Sequence, residues 1–299
     1  MKSLRRIHYI ILSSTLLFLA PQAGYSDDSQ TLSEHPQSID QHDLQHGLSI
    51  DELRLNAQNP VSPILNLPTK FTFYEGAPNG DAWVLSTRPT FTFEVAGWNL
   101  VNQMALNFID TPTGGVTGIA ELPNPYPGSG SVGLADLNYT LLVSPNTRDE
   151  LSWGVGGTVT LPTDHPSRVL GSGKWSAGPA FAVVYQPDPW SIGIKGKQIW
   201  SIFGNEGRVG VSQMLLEPFI NFNLADGWYL VSDMAIVSNW DKRSSEQWTV
   251  PIGGGFGKMF QIAGQPINTR LEAYWNAVKP DAGAEWTLNF TLQFLFPST

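Results

Sequence analysis

A serine hydrolase needs a histidine beside its serine to act as general base. Beyond residue 46 this chain has a single histidine, His165, set between Asp164 and Pro166. The pair His42-x-x-x-His46 has metal-ligand spacing if helical, but no third ligand accompanies it. Gly253-Gly254-Gly255-Phe256-Gly257 has the glycine density of a phosphate loop. It lies inside an alternating segment, and neither Lys-Ser/Thr nor a helix follows. Cysteine is absent, which removes thiolate metal sites and disulfide frameworks together. These features predict a non-enzyme with no cofactor, nucleotide or metal.

The remaining chemistry is carried by charges that recur on every second residue: Arg88, Glu94, Lys174, Lys195, Lys197, Glu217, Asp233, Arg270 and Glu272. Each falls on the polar row of a segment whose other row is apolar. Both signs occur, and isolated charges removed from water are costly, so these side chains must pair or face water. Two arrangements meet that demand. One is an ion-pair network that fills an interior; the other is a constriction or ligand-contact zone along a pathway. The candidate pathway residues are Arg88, Glu94, Lys195, Lys197, Glu217, Asp233, Arg270 and Glu272.

The elements that position these charges are strands. From Ile64 onward the period is two. Trp286, Leu288, Phe290, Leu292, Phe294 and Phe296 alternate with Thr287, Asn289, Thr291, Gln293 and Leu295. Trp83, Leu85, Phe91, Phe93 and Val95 alternate with Val84, Ser86, Arg88, Thr90, Thr92 and Glu94. Trp98, Leu100, Met104, Leu106 and Phe108 form a third row, which Asn102 interrupts. The pattern predicts twelve strands, at about 64–75, 82–95, 98–109, 132–144, 151–161, 174–186, 189–201, 210–224, 227–240, 246–260, 267–278 and 285–296. Gly154, Gly156, Gly253, Gly255 and Gly257 lie on the inward row, where they leave room or permit close approach.

Connection lengths choose between a soluble sandwich and a membrane barrel. Links after even-numbered strands are tight (Ala96-Gly97, Pro187-Asp188, Ala225-Asp226), whereas 110–131, 162–173 and 202–209 are long. Short turns on one side and long loops on the other are a property of bacterial outer-membrane barrels. An even strand count then puts both termini on the short-turn, periplasmic side. Trp98, Trp190 and Trp228 follow short turns directly, and Trp83, Trp175, Trp200, Trp240, Trp248 and Trp286 lie near the opposite strand ends. Amphipathic rings at both interfaces make two girdles. Composition agrees: only 14% of residues are charged, against roughly 25% in ordinary globular domains. The fold expected is an all-β transmembrane antiparallel up-and-down barrel of about twelve strands in the outer membrane of a Gram-negative bacterium.

Residues 1–26 read as a cleaved signal peptide. Lys2, Arg5 and Arg6 precede an apolar stretch from Ile10 to Ala20, and Gly24 and Ser26 supply small residues for cleavage after Ser26. Residues 27–60 are polar and read as a periplasmic or plug segment, with the barrel over 61–299. Ser49 and Glu52 form a capping-box pattern that predicts a helix over roughly 50–57. The net charge of −9 argues against a nucleic-acid partner. Membrane lipid, small solutes and the outer-membrane assembly machinery are the partners expected. Phe296 stands near the chain end, where such barrels commonly carry an aromatic insertion signal, here followed by Pro297-Ser298-Thr299.

Several segments carry a family likeness. They are Asn59-Pro60-Val61, Leu170-Gly171-Ser172-Gly173-Lys174-Trp175-Ser176-Ala177-Gly178-Pro179, Pro189-Trp190 and Gln198-Ile199-Trp200-Ser201. Pro218-Phe219-Ile220-Asn221-Phe222, Trp248-Thr249-Val250-Pro251 and Leu295-Phe296-Pro297 continue it. In this order they resemble the MetA-pathway of phenol degradation family of transporter-like outer-membrane barrels, some of which carry the misleading label neuromedin U. The resemblance covers about residues 59–299. It implies passive passage of small hydrophobic or aromatic solutes and supplies no binding residues. The alternative is a non-conducting structural or adhesive barrel that binds partners through loops 110–131 and 162–173. An outer-membrane enzyme is disfavoured by the missing wall histidine.

Overall fold

The computed structural model describes residues 47–297 except 125–129, 148 and 164–169. The expected signal peptide, the His42/His46 pair and His165 lie outside the described residues. One helix, α1 (Ile50–Gln58), precedes fifteen strand segments. These are β1 (Leu65–Glu75), β2 (Ala82–Thr87), β3 (Thr90–Val95), β4 (Trp98–Thr111), β5 (Ser131–Leu134), β6 (Leu137–Pro145), β7 (Leu151–Leu161) and β8 (Lys174–Tyr185). There follow β9 (Trp190–Gly204), β10 (Ser212–Asn223), β11 (Trp228–Asp233), β12 (Ile236–Asn239), β13 (Trp248–Ile262), β14 (Gln265–Val278) and β15 (Trp286–Phe296).

Every ladder is antiparallel, and β15 returns to pair with β1 in a register that sets Phe71 opposite Phe290. The sheet therefore closes and exposes no edge. The segment pairs β2/β3, β5/β6 and β11/β12 each complete one wall strand, giving twelve strands around the barrel.

The continuous strands expected over 82–95, 132–144 and 227–240 are in fact interrupted, and two of the three breaks lie opposite a proline. Arg88 N–H donates to Pro68 O and Met234 N–H to Pro218 O, but neither proline has an N–H to return. At the third break Asp136 turns aside to accept hydrogen bonds from Ser172 N and Oγ, both at 2.7 Å. The expected loop asymmetry is present. Residues 96–97, 146–150, 186–189, 224–227 and 263–264 connect strands at one end, and longer segments connect them at the other. Ala96-Gly97 and Ala263-Gly264 have positive φ at both residues, the tight-hairpin geometry that suits twisted strands.

The outward row is apolar and exposed: Phe93 (58%), Val155 (53%) and Phe256 (49%) represent it. Asn102, the polar break in that row, is nevertheless buried. Its amide donates to Leu100 O at 2.9 Å, and its oxygen accepts from Tyr139 Oη at 2.6 Å. Lipid offers no partner, so a polar side chain on this face must be satisfied locally. Two aromatic girdles follow. Trp98 with Trp153 and Trp190 with Phe222 mark the short-turn rim. Trp175 with Phe203 and Trp240 with Trp248 mark the other.

Helix α1 has the expected capping box: Glu52 N–H donates to Ser49 Oγ at 3.2 Å, and Ser49 N–H donates to the Glu52 carboxylate at 2.8 Å. Ser49→Ala is expected to cost the helix about 1 kcal/mol. Faster hydrogen exchange at the Leu53 and Arg54 amides, with the wall amides unchanged, would register it.

Candidate lumen site

The inward row is polar on most strands, with Ala180, Ala182 and Val184 of β8 an apolar exception, and segments of the chain enter the interior from both ends. At the short-turn end, α1 packs Leu53 against the inward Met259 and Leu295. Arg54, 5% exposed, donates to Leu224 O at 2.8 Å and pairs with Asp51 at 2.9 Å. Gln58 donates to Asn223, and Asn59 to Gln186, while Gln186 donates back to Leu55 O. Val61 then enters an apolar niche of Val101, Leu142, Ala180 and Ala182. Gly154 makes the space: a Cβ there would stand 2.9 Å from Val61 Cγ1. Gly257 likewise leaves room for the ring of Tyr229, whose hydroxyl donates to Asn268 at 2.7 Å.

At the opposite end, residues 112–124 turn into the barrel. Val116, Ile119 and Leu122 are buried against Val84, Ile109, Ala135 and Leu170. Thr117 bridges to Gly283, and Asn239 donates to Pro123 O at 2.7 Å. This infolding carries Glu121 into the lumen.

Between the two closures the charges form two linked groups. Arg88 pairs with Glu121 at 2.9 Å and with Glu217 at 3.5 Å, and Lys195 approaches Glu217 at 3.6 Å. Arg270 pairs with Asp233 at 3.0 Å and approaches Glu272 at 3.7 Å. Tyr274 Oη donates to Glu272 and accepts from Asp233 N–H, both at 2.7 Å, joining the second group to the wall. Lys197 has a neutral partner, donating to Asn138 Oδ1 at 2.7 Å. Of the eight candidate residues, the structure gathers Arg88, Lys195, Lys197, Glu217, Asp233, Arg270 and Glu272. Glu94 stands apart, exposed beside the Ala96-Gly97 turn, and makes no ion pair among the described residues.

Three participants were not among those candidates. Lys70 lies on the inward parity of β1 with Asn66 and Thr72 and faces the same interior, so strand parity alone reveals it. Glu121 belongs to a connection that local sequence assigns to the exterior. Tyr274 follows the candidate Glu272 by two residues on the same row.

The lumen is a chain of small voids. A cavity of about 130 Å³ lies between the α1–Pro60 segment and the ion pairs, bounded by Asn59, Lys70, Arg88, Glu217 and Asp233. A side cavity of about 60 Å³ shares Pro60, Arg88, Gln103, Lys195 and Glu217 with it. A third, of about 30 Å³, lies under Gly118 and Glu121. Each can hold water, and the first approaches the ~150 Å³ of a cavity that accepts benzene. No described residue is a histidine, and no acidic or histidine cluster of metal-binding geometry occurs among the described residues.

The wall, girdles and closed ladder define a twelve-strand barrel of the outer-membrane class. A solved structure agrees at the level of fold. The COG4313 outer membrane channel from Pseudomonas putida F1 superposes with a TM-score of 0.58 at 15% identity, over 80% of this chain and 98% of that one. Outer membrane phospholipase A from Escherichia coli (TM-score 0.41, 10% identity, 82% and 98% covered) is more distant. So is the CymD monoaromatic hydrocarbon channel (TM-score 0.41, 8% identity, 79% and 88% covered). Likeness at these identities is one of fold. No family model matches the sequence, and no curated protein matches it.

Proposed function

We propose that this chain is a passive outer-membrane channel for small hydrophobic or aromatic solutes, belonging with the MetA-pathway-type barrels its sequence resembles. The observation that carries the reading is the void of about 130 Å³ at the barrel axis. A barrel serving only as a wall would gain by packing this space, since unfilled volume forfeits dispersion contacts. Here the space is lined by charged and polar side chains and stoppered by two segments of the chain. In this reading residues 1–26 direct export and are removed, 27–60 form the plug segment, and 61–299 form the barrel.

Arg88, Lys195, Lys197, Glu217, Asp233, Arg270 and Glu272 shape the pathway, and Glu94 lies at its periplasmic mouth. Solute moves down its gradient with no nucleotide, metal or covalent step. The infolding of residues 112–124 favours a channel over an adhesin, because this part of the long connection packs into the lumen. An enzymatic role is disfavoured by the sequence, whose one histidine beyond residue 46, His165, falls on no wall strand.

Planar-bilayer recording tests the proposal. Wild type is expected to show small, brief current steps, and Lys195→Glu or Arg270→Glu to change their size and ion preference. Silence in wild type and also in a chain lacking 27–58, together with no uptake of a labelled monocyclic aromatic into proteoliposomes, would refute a channel.

A further inference from the structure

The side cavity differs in chemistry from the axial one. One wall is apolar, made by Val101, Ala105, Leu142, Ala180 and Ala182; the other carries Lys195 and Lys197. These lysines lie two residues apart on β9, so both point inward at adjacent levels. Lys197 has no carboxylate partner among the described residues, and Lys195 has only a shared one. Lys197 Nζ donates to the neutral Asn138 Oδ1. Lys195 Nζ is 3.6 Å from Glu217, a carboxylate it shares with Arg88 at 3.5 Å. Both separations exceed the 2.7–2.9 Å of a formed charge-assisted hydrogen bond. Lys70, which borders the adjoining axial cavity, makes no side-chain hydrogen bond or ion pair among the described residues.

The side cavity itself is lined by Arg88, Lys195 and Lys197 against the single carboxylate of Glu217, an excess of two cations among the described residues that line it, with Glu121 and Asp136 beyond it. That excess opposes the chain's overall charge of −9. Closing an interior with a surplus ammonium is costly unless an anion or water compensates it.

We propose that this side cavity, together with the axial cavity with which it shares Pro60, Gln103 and Lys195, binds a small amphiphilic monoanion: a carboxylate on an apolar body no larger than one aromatic ring. The apolar body lies against the part of Val101, Leu142 and Ala182 that lines the cavity beside Val61, and the carboxylate accepts from Lys197, which keeps Asn138, and from Lys195 in place of its 3.6 Å approach to Glu217. The proposal rests on the channel reading and narrows its solute class. A neutral hydrocarbon would use the apolar wall but leave the lysines uncompensated, and a cationic amphiphile would be repelled.

Benzoate, benzamide and benzylammonium separate these cases, being alike in size and different in charge. The measurement is equilibrium binding to the purified full chain in detergent micelles, with heat-modifiable gel mobility as the check that each variant is folded. Wild type is expected to bind benzoate about tenfold or more tightly than benzamide, as for a hydrogen bond to a charged group, and benzylammonium weakest. Lys197→Met should abolish the preference for benzoate while keeping benzamide binding, and Lys197→Arg should retain it. Lys195→Met, which keeps the Lys197 contact, should reduce it in part and guards against a Lys197 variant that does not fold. Equal binding of benzoate and benzamide, or an unchanged preference in folded Lys197→Met, overturns the anion site and leaves the channel reading standing. Failure of both benzoate and benzamide to bind overturns the site, and absence of current and uptake overturns the channel reading separately.

Discussion

Deleting residues 27–58 is expected to raise single-channel conductance several-fold and to lengthen the open state. The α1–Pro60 segment is fastened across the whole short-turn mouth. Arg54 holds Leu224 O, Gln58 holds Asn223, Asn59 holds Gln186, and Thr92 Oγ1 donates to Ser62 O at 3.1 Å. Each bond contributes roughly 1 kcal/mol net, and Leu53 adds apolar burial on Met259 and Leu295. Spontaneous release of all these contacts together is rare, which accounts for the small, brief openings expected of wild type. The wall ladders do not depend on this segment, so the deleted chain should keep its heat-modifiable gel mobility. Leu53→Ala supplies a graded version: openings become more frequent while the size of the current step stays that of wild type. Unchanged conductance in the deletion would move the controlling barrier to residues 112–124 and the ion pairs.

The second large effect is expected at Arg88. Its guanidinium serves Glu121 from the infolded connection and Glu217 from β10, whose side chains are 8% and 12% exposed. Arg88→Met leaves both carboxylates without it in a confined space. The barrel should lose about 3 kcal/mol in reversible urea unfolding from micelles, the low end for a buried pair losing one partner, because water reaches the cavity. Adding Glu121→Gln should recover most of this loss, since Glu217 retains Lys195. Additive losses in the double variant would show that the two groups are not coupled. Arg88→Lys should rescue poorly, because an ammonium cannot present the planar fork that reaches two carboxylates from one position.

Sequence and structure agree where the physics is local or periodic. A two-residue period with one row facing lipid specifies which side chains point inward, so the lumen row was legible without any tertiary information. Glycine on that row was legible too, though not its purpose: Gly154 is small because Val61 must fit beside it, and Val61 is far away in sequence. The capping box announced α1 because both of its hydrogen bonds join residues three apart. The interruption at Met234-Ala235 depends on Pro218 of a neighbouring strand, whereas the one at Arg88-Pro89 has its own proline as well as Pro68 opposite.

Among the charged residues, alternation placed Arg88, Glu217, Asp233 and Arg270 on one surface without saying which would meet. Glu94 shares their parity but sits at the turn, and height along the barrel depends on strand stagger rather than parity. Glu121 escaped notice for the opposite reason, because an irregular connection has no period from which its direction can be read. The alternating charges with which the sequence reading began are a property of the sequence alone: polar residues on every second position are kept from lipid wherever the wall closes. Their division into ion pairs, the surplus ammonium groups beside an apolar niche, and the stoppers at both ends were decided by tertiary structure. Those features arise from contacts between residues distant in the chain, whose free energy exists only once the barrel has brought them together.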